Sequence, residues 1–180
     1  MTIVCAMKDT DGVWIGSDSR VTSAHGTIIT DDYRKWFRKW FRIGEETWIG
    51  LAGHIRVERL IGKLSPTQNA PTIWDIVDEL HRLVKEDGWT AIESKDGTPQ
   101  DFCYDAIIVN HGKVWLTHGS GSVLDMGDKF TAIGSGMHFA CGAAFAFGGG
   151  VQIAIRTALE AACHYDRDCG GELFIEKIKT

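Results

Sequence analysis

The order of local patterns along the chain is its tightest constraint. Strand-like runs come first, then two helical runs, strands again, two more helical runs and a last strand. TIVCAM and VWIGSD flank the polar turn stretch KDTDG, the signature of a hairpin. After a less regular segment, SRVTSAHGTIITDDY, the runs WFRKWFRIG and TWIGLAG are joined by the tight polar turn GEE as a second hairpin. Helical patterning follows in HIRVERLIGKL and from Thr72 to Lys85, with Pro71 at the start and Gly88 after the end. YDAIIVNHGKVWLTHG predicts a hairpin turning at Asn110-His111-Gly112, and KFTAIGSG a further strand. MHFACGAAFAF and VQIAIRTALEAACHYD read as helices broken by Gly148-Gly149-Gly150, before the strand ELFIEKI. Strand runs alternating with helix pairs point to an α+β domain, not a doubly wound sheet. Two antiparallel sheets between two helix pairs would use every element, a four-layer αββα sandwich.

With 180 residues and no linker or low-complexity tract, the expectation is one domain over residues 1–180. Hydrophobic residues at 44% and charged residues at 24% fit a globular protein. No apolar run approaches the roughly 20 residues of a membrane span, and no basic, apolar leader follows Met1. Five cysteines (Cys5, Cys103, Cys141, Cys163, Cys169) without CxxC or zinc spacing read as reduced thiols of a cytoplasmic protein. The net charge of −5 argues against a dedicated nucleic-acid binder, although Arg34 to Arg42, RKWFRKWFR, forms a local basic-aromatic stretch.

The chemistry starts at Thr2. If Met1 is removed, the chain begins with a hydroxyl nucleophile that carries its own base, an α-amine whose ordinary pKa is about 7.7–8.0. Many chains begin Met-Thr, so this feature alone says little. Its neighbours say more. TIVCAMKDTDGVWIGSDSRVT resembles the N-terminal region of proteasome-type β-subunits, including bacterial HslV and smaller bacterial proteasome homologues. Asp18-Ser19-Arg20-Val21-Thr22 stands at that family's separation from the threonine, sixteen residues on. WIGLAGH resembles its Gly-x-x-Ala-Gly segment, FTAIGSGMHFA its Gly-Ser-Gly helix start, and HYDRDCGGELFIEKI its Asp-x-x-Ser-Gly-Gly segment before a late strand. The resemblance runs nearly the length of the chain.

The resemblance implies the N-terminal-nucleophile hydrolase fold and a threonine endopeptidase. Thr2 would attack a peptide carbonyl with its α-amine as base. A nearby ammonium would keep that amine neutral, held by Asp18. Gly53 matches the position whose backbone N–H meets the oxyanion, and Ser135, Asp166 and Cys169 match the support group around the amine. Relatives mostly carry a hydroxyl where this chain has Cys169, and a thiol is the weaker hydrogen-bonding group. Val21 and Leu51 match positions that shape the pocket for the residue before the cut bond, and both are apolar. The resemblance further implies peptide or unfolded-protein substrates, a homo-oligomeric ring or double ring, and an ATPase unfoldase as feeder. It implies no cofactor beyond a structural cation near Asp166, held through backbone carbonyls. Two alternatives stay open: a non-catalytic ring scaffold, and an amidase of the same class acting on small amides. His54 could line the cleft or serve loop packing, and Gly119 to Ser122 reads as a turn rather than a phosphate loop.

Which lysine supplies the ammonium depends on register. Read as a strand, the doubled unit puts Lys35, Phe37, Lys39 and Phe41 on one face. Because the unit is four residues long, either lysine fits by parity, yet they stand roughly 13 Å apart. Counting from Asp18 favours Lys35. Counting back fourteen residues from Gly53 across the short hairpin favours Lys39, and the hairpin is the stiffer ruler.

Overall fold

A computed structural model describes residues 2–22, 28–30, 38–53, 55–64, 71–87 and 104–179. In chain order the first half carries β1 (Val4–Asp9), β2 (Gly12–Ser17), β3 (Val21–Thr22), β4 (Ile28–Thr30), β5 (Trp40–Arg42), β6 (Thr47–Gly53), α1 (Ile55–Ile61) and α2 (Ile73–Glu86). The second half carries β7 (Tyr104–Asn110), β8 (Lys113–His118), β9 (Val123–Asp125), β10 (Thr131–Ile133), α3 (Met137–Ala146), α4 (Val151–Tyr165) and β11 (Phe174–Lys179). Strand pairings among the described residues are all antiparallel. One sheet runs β10-β1-β2-β11, the other β5-β6-β7-β8-β9, and β3 with β4 forms a small separate ribbon.

The elements follow from local chemistry. Thr72 caps α2, its hydroxyl accepting from Asp75 N–H while the Asp75 carboxylate accepts from Thr72 N–H, a complete capping box. Ile73, Ile76, Val77, Leu80, Leu83 and Val84 then line one face of α2 at helical spacing. The β7–β8 hairpin turns through His111 and Gly112, whose φ of 48° and 69° are the two positive values a type I′ turn requires.

Alternation along the strands divides the interior into three apolar layers. Ile3, Cys5 and Met7 point from the first sheet to α3 and α4, where they meet Ala140, Ile155, Ala158, Leu159 and Ala162. Val4 and Ala6, with Val13 and Ile15 of β2, point the other way, toward Ile107, Val109 and Val114 of the second sheet. That sheet's outer face, with Ile49, Leu51, Ala106 and Ile108, packs under α1 and α2. The order helices, sheet, sheet, helices is therefore the expected αββα sandwich. It also explains the unbroken apolar run Ala106 to Val109, since β7 is covered on both faces. Two close approaches depend on glycine. A Cβ on Gly50 would come within 2.6 Å of Val4 Cγ1 between the sheets, and one on Gly16 within 2.8 Å of Leu159 Cδ1 under α4.

The strand registers gather the site. Val4 lies opposite both Ser17 and Ile133, and Ser17 lies opposite Phe174. The start of β1, the ends of β2 and β10 and the start of β11 thus meet at one end of the first sheet. Thr2, Asp18, Ser135 and the segment leading out of α4 are carried there together.

Candidate functional site

Asp18 is the centre of the constellation. It follows the last residue of β2, is fully buried, and its two carboxylate oxygens accept four hydrogen bonds. Thr2 Oγ1 and Ile3 N–H donate to Oδ1, each at 3.0 Å, and Lys39 Nζ donates to the same oxygen at 2.6 Å. Gly170 N–H donates to Oδ2 at 3.0 Å. A buried carboxylate requires such saturation, because each unmet lone pair would carry a desolvation cost. Thr2 and Lys39 are also buried, at 4% and 6% exposure. Close packing at the N-terminus rests on Gly134, whose φ is 98°; a Cβ there would lie 2.1 Å from the Thr2 carbonyl oxygen.

Lys39 arrives by a route that strand alternation does not describe. The doubled stretch was expected to be a strand throughout, yet of its described residues, 38–42, only Trp40–Arg42 form a strand, β5, and the chain bends at Lys39. Phe41 packs toward α1 and α2, whereas Lys39 Nζ reaches Asp18 and also the Arg20 carbonyl, at 2.6 Å. Its backbone is nonetheless fixed by the second hairpin, since Leu51 N–H bonds the Lys39 carbonyl at 2.9 Å, one step beyond the Trp40↔Gly50 pair. Lys35 lies outside the described residues. The described half of the basic-aromatic stretch is spent on packing. Arg38 stacks over Trp40 and Phe174 and pairs with Glu176, while Arg42 stacks over Trp48 and bonds the Gly44 and Glu45 carbonyls.

A second group forms where α4 ends. Asp166 is the C-cap residue of α4. Its carboxylate accepts from Asp168 N–H at 3.0 Å and from Cys169 Sγ at 3.4 Å, and Ser135 Oγ stands 3.8 Å from that sulfur. Burial pushes the Asp166 carboxyl up, but hydrogen bonds from Ser135, Asp168 and Cys169 outweigh it and hold it below its ordinary value. Burial, with Asp18 and Asp166 nearby, pushes the Cys169 thiol far above its ordinary value. Cys169 is therefore a protonated donor to Asp166, not a thiolate nucleophile.

A depressed carboxylate stabilises the fold above its unfolded pKa, and that contribution is lost as pH falls through the folded value. Asp166→Asn should accordingly lower the melting temperature at pH 7. The gap should narrow below about pH 4, where an unfolded aspartate protonates. A gap independent of pH from 7 to 3 would refute this role for the carboxylate.

Other expected residues are more loosely placed. Gly53 ends β6 with φ of 132°, a backbone shape that favours glycine, two residues past the Leu51 N–H that bonds Lys39. Leu51 itself is buried among the side chains under α1 and α2, and Val21 is half-buried on β3. His54 and Met1 lie outside the described residues. Gly119 to Ser122 is a turn, with Gly121 at φ 81°. Arg20 and Gly170, which join the two groups, were not singled out by sequence. Their only signal there is membership of the Asp-Ser-Arg and Gly-Gly segments. Arg20 Nη1 donates to the carbonyls of Arg167 and Cys169 at 2.8 and 2.7 Å, so these oxygens are already engaged and do not fit a bound cation. Among the described residues no cluster of three His, Cys, Asp or Glu side chains is arranged to hold a metal, and no helix is long and apolar enough to cross a membrane.

Two antiparallel sheets between helix pairs, with a threonine just ahead of the first strand, make up the fold that carries this site. Solved structures with this fold match the chain almost end to end. The BPH protein of Thiobacillus denitrificans in complex with epoxomicin is 19% identical, with a TM-score of 0.81 and 98% of each chain covered. A second structure of Thiobacillus denitrificans BPH gives 0.80 at 19% identity, covering 99% of this chain and 98% of its own. Eukaryotic HslV from Trypanosoma brucei gives 0.66 at 22% identity, with 99% of each chain covered. No protein-family model and no curated protein sequence matches the chain.

Proposed function

We propose that this chain is a threonine peptidase subunit in which Thr2, exposed as the first residue by removal of Met1, is the nucleophile. One observation carries the reading: the Thr2 hydroxyl and the Lys39 ammonium converge on a single buried oxygen of Asp18. Nothing in the packing of β1 or β2 requires a buried lysine there, and a buried ion pair is weak evidence of stability for its own sake.

In the proposed reaction Thr2 Oγ attacks the peptide carbonyl and its proton passes to the freed α-amine. Lys39 keeps that amine neutral by like-charge repulsion, and Asp18 holds both the lysine and the hydroxyl in place. The tetrahedral oxyanion takes a hydrogen bond from Gly53 N–H. Collapse breaks the C–N bond, the protonated α-amine gives its proton to the departing amine, and an ester on Thr2 remains. Water, deprotonated by the same α-amine, then attacks the ester, the acyl C–O bond breaks, and the amine returns the proton to Thr2 Oγ as the acid product leaves. Ser135, Asp166 and Cys169 orient the amine. We invoke no cofactor and route no step through a metal. Beside Asp166, Asp168 Oδ1 is a buried oxygen without a partner among the described residues, and a structural cation there would draw on it.

The substrates proposed are peptides or unfolded protein, cut after apolar side chains, because Val21 and Leu51 are both apolar. Purified protein whose intact mass lacks Met1 should cleave fluorogenic peptides with an apolar residue before the scissile bond fastest. Epoxomicin, which BPH binds, should block that cleavage. Faster cutting after basic or acidic residues would sink the pocket assignment. Cleavage by protein that retains Met1 would sink the amine as base, since an acylated nitrogen accepts no proton.

A homo-oligomeric ring or double ring, fed by an ATPase unfoldase, is also proposed. The surface of α3 and α4 supports assembly. MHFACGAAFA has no polar face, and it exposes Phe139 and, at 94%, Phe145, while α4 exposes Ile153 and Tyr165. Native mass measurement should find a multiple of the 19.9 kDa chain, reduced by Phe145→Glu. A wild-type monomer at micromolar concentration would exclude the ring.

A further inference from the structure

Arg20 belongs to neither group of site residues, yet it touches both. Its backbone carbonyl accepts from Lys39 Nζ, and its N–H, together with that of Ser19, donates to the Gly170 carbonyl at 3.0 and 3.2 Å. Its guanidinium crosses to the far side of the same turn and bonds the Arg167 and Cys169 carbonyls. Ser19 adds a parallel tie, its hydroxyl accepting from Glu172 N–H at 2.8 Å. The passage is tight. Gly170 has φ of 153°, and a Cβ there would lie 2.4 Å from Arg20 Cζ. The turn after α4 is thus fastened to residues 18–20, just past β2, at Arg167, Cys169 and Gly170.

We propose that Arg20 is a positioning residue for this site. By locking the 166–170 turn, its guanidinium sets the Gly170 N–H on Asp18 Oδ2 and fixes Asp166 and Cys169 relative to Thr2. The proposal rests on the reading of Thr2 as nucleophile. The physical reason is that the turn's carbonyls follow a helix end and have few intrahelical donors to meet. One planar cation satisfies two of them at once and holds them at a set spacing, which a lysine's point charge on a flexible stem does less well. The Arg20 guanidinium bonds the turn's carbonyls, so its removal should disturb the chemical step rather than substrate binding.

The test compares wild type, Thr2→Ala, Arg20→Met and Arg20→Lys, all without Met1, on one apolar fluorogenic peptide. Arg20→Met keeps the stem and removes the donors. Its kcat should fall by roughly 10- to 100-fold, the scale of a site misplaced by about an ångström. KM should stay within about twofold, as expected when only transition-state interactions are lost. Guanidinium chloride far below denaturing concentrations should recover part of the kcat lost in Arg20→Met and none in Thr2→Ala. Arg20→Lys should fall between wild type and Arg20→Met. A folded Arg20→Met with wild-type kcat, or one whose lost kcat does not respond to guanidinium, overturns the positioning role. If Arg20→Met fails to fold, Arg20→Lys decides, and full kcat there overturns it. Where wild type cleaves, Thr2→Ala does not and Arg20→Met is unaffected, only the Arg20 proposal falls. Equal cleavage by wild type and Thr2→Ala removes the nucleophile reading and this proposal with it.

Discussion

Thr2→Ala is expected to abolish peptide cleavage, by roughly 10⁴-fold or more, because the variant lacks the only atom proposed to form the covalent intermediate. The loss should come with little change in fold. The substitution deletes one hydroxyl hydrogen bond to Asp18, worth about 1 kcal/mol, while Ile3 N–H, Lys39 Nζ and Gly170 N–H still satisfy the carboxylate. Peptide turnover and a melting curve on the same preparation read both halves of the expectation. Thr2→Ser, which keeps the hydroxyl, should retain measurable activity. Undiminished turnover in Thr2→Ala would leave the proposed mechanism without its nucleophile.

The second large effect concerns Lys39. Lys39→Ala removes the paired ammonium from a fully buried Asp18 carboxylate, a change of about 3–5 kcal/mol in comparable buried pairs. Activity should fall by roughly 10²- to 10⁴-fold, as for loss of a group that governs proton transfer. Lys35→Ala should leave both turnover and melting temperature close to wild type. The double substitution Asp18→Asn with Lys39→Met removes the charge mismatch. It should recover much of the stability of Lys39→Ala but none of the activity. That pattern separates the structural part of the pair from its chemical part. Loss of activity in Lys35→Ala alone would reassign the lysine.

The sequence made some levels of the structure legible and left others hidden, for identifiable reasons. Hairpins were readable where turn chemistry is strict, as at Asn110-His111-Gly112, and α2 was readable from its helical pattern between Pro71 and Gly88, with ends displaced by one residue from Thr72–Lys85 to Ile73–Glu86. Val123–Asp125 was missed as a strand because three residues next to a glycine turn carry no alternation, and its pairing comes entirely from β8. The β3–β4 ribbon was hidden in the same way inside SRVTSAHGTIITDDY. RKWFRKWFR shows the opposite error. Its strand character is strong over nine residues, yet the described part forms a strand only at Trp40–Arg42, because Lys39 bends out of line toward Asp18. Burial of that ammonium against a carboxylate and a carbonyl overrides the local preference for an extended chain.

The sequence by itself determined the order of layers and the sixteen-residue spacing of Thr2 and Asp18, since both depend on local periodicity and on a hairpin whose register a short turn fixes. It also narrowed the lysine to two positions. Only the tertiary structure decided that Lys39 meets Asp18, that Arg20 fastens the turn after α4, and that Gly134 and Gly170 must lack side chains. Those facts depend on segments distant in the chain, some more than a hundred residues apart, meeting at one end of a sheet, and a contact of that kind leaves no periodic trace in the sequence.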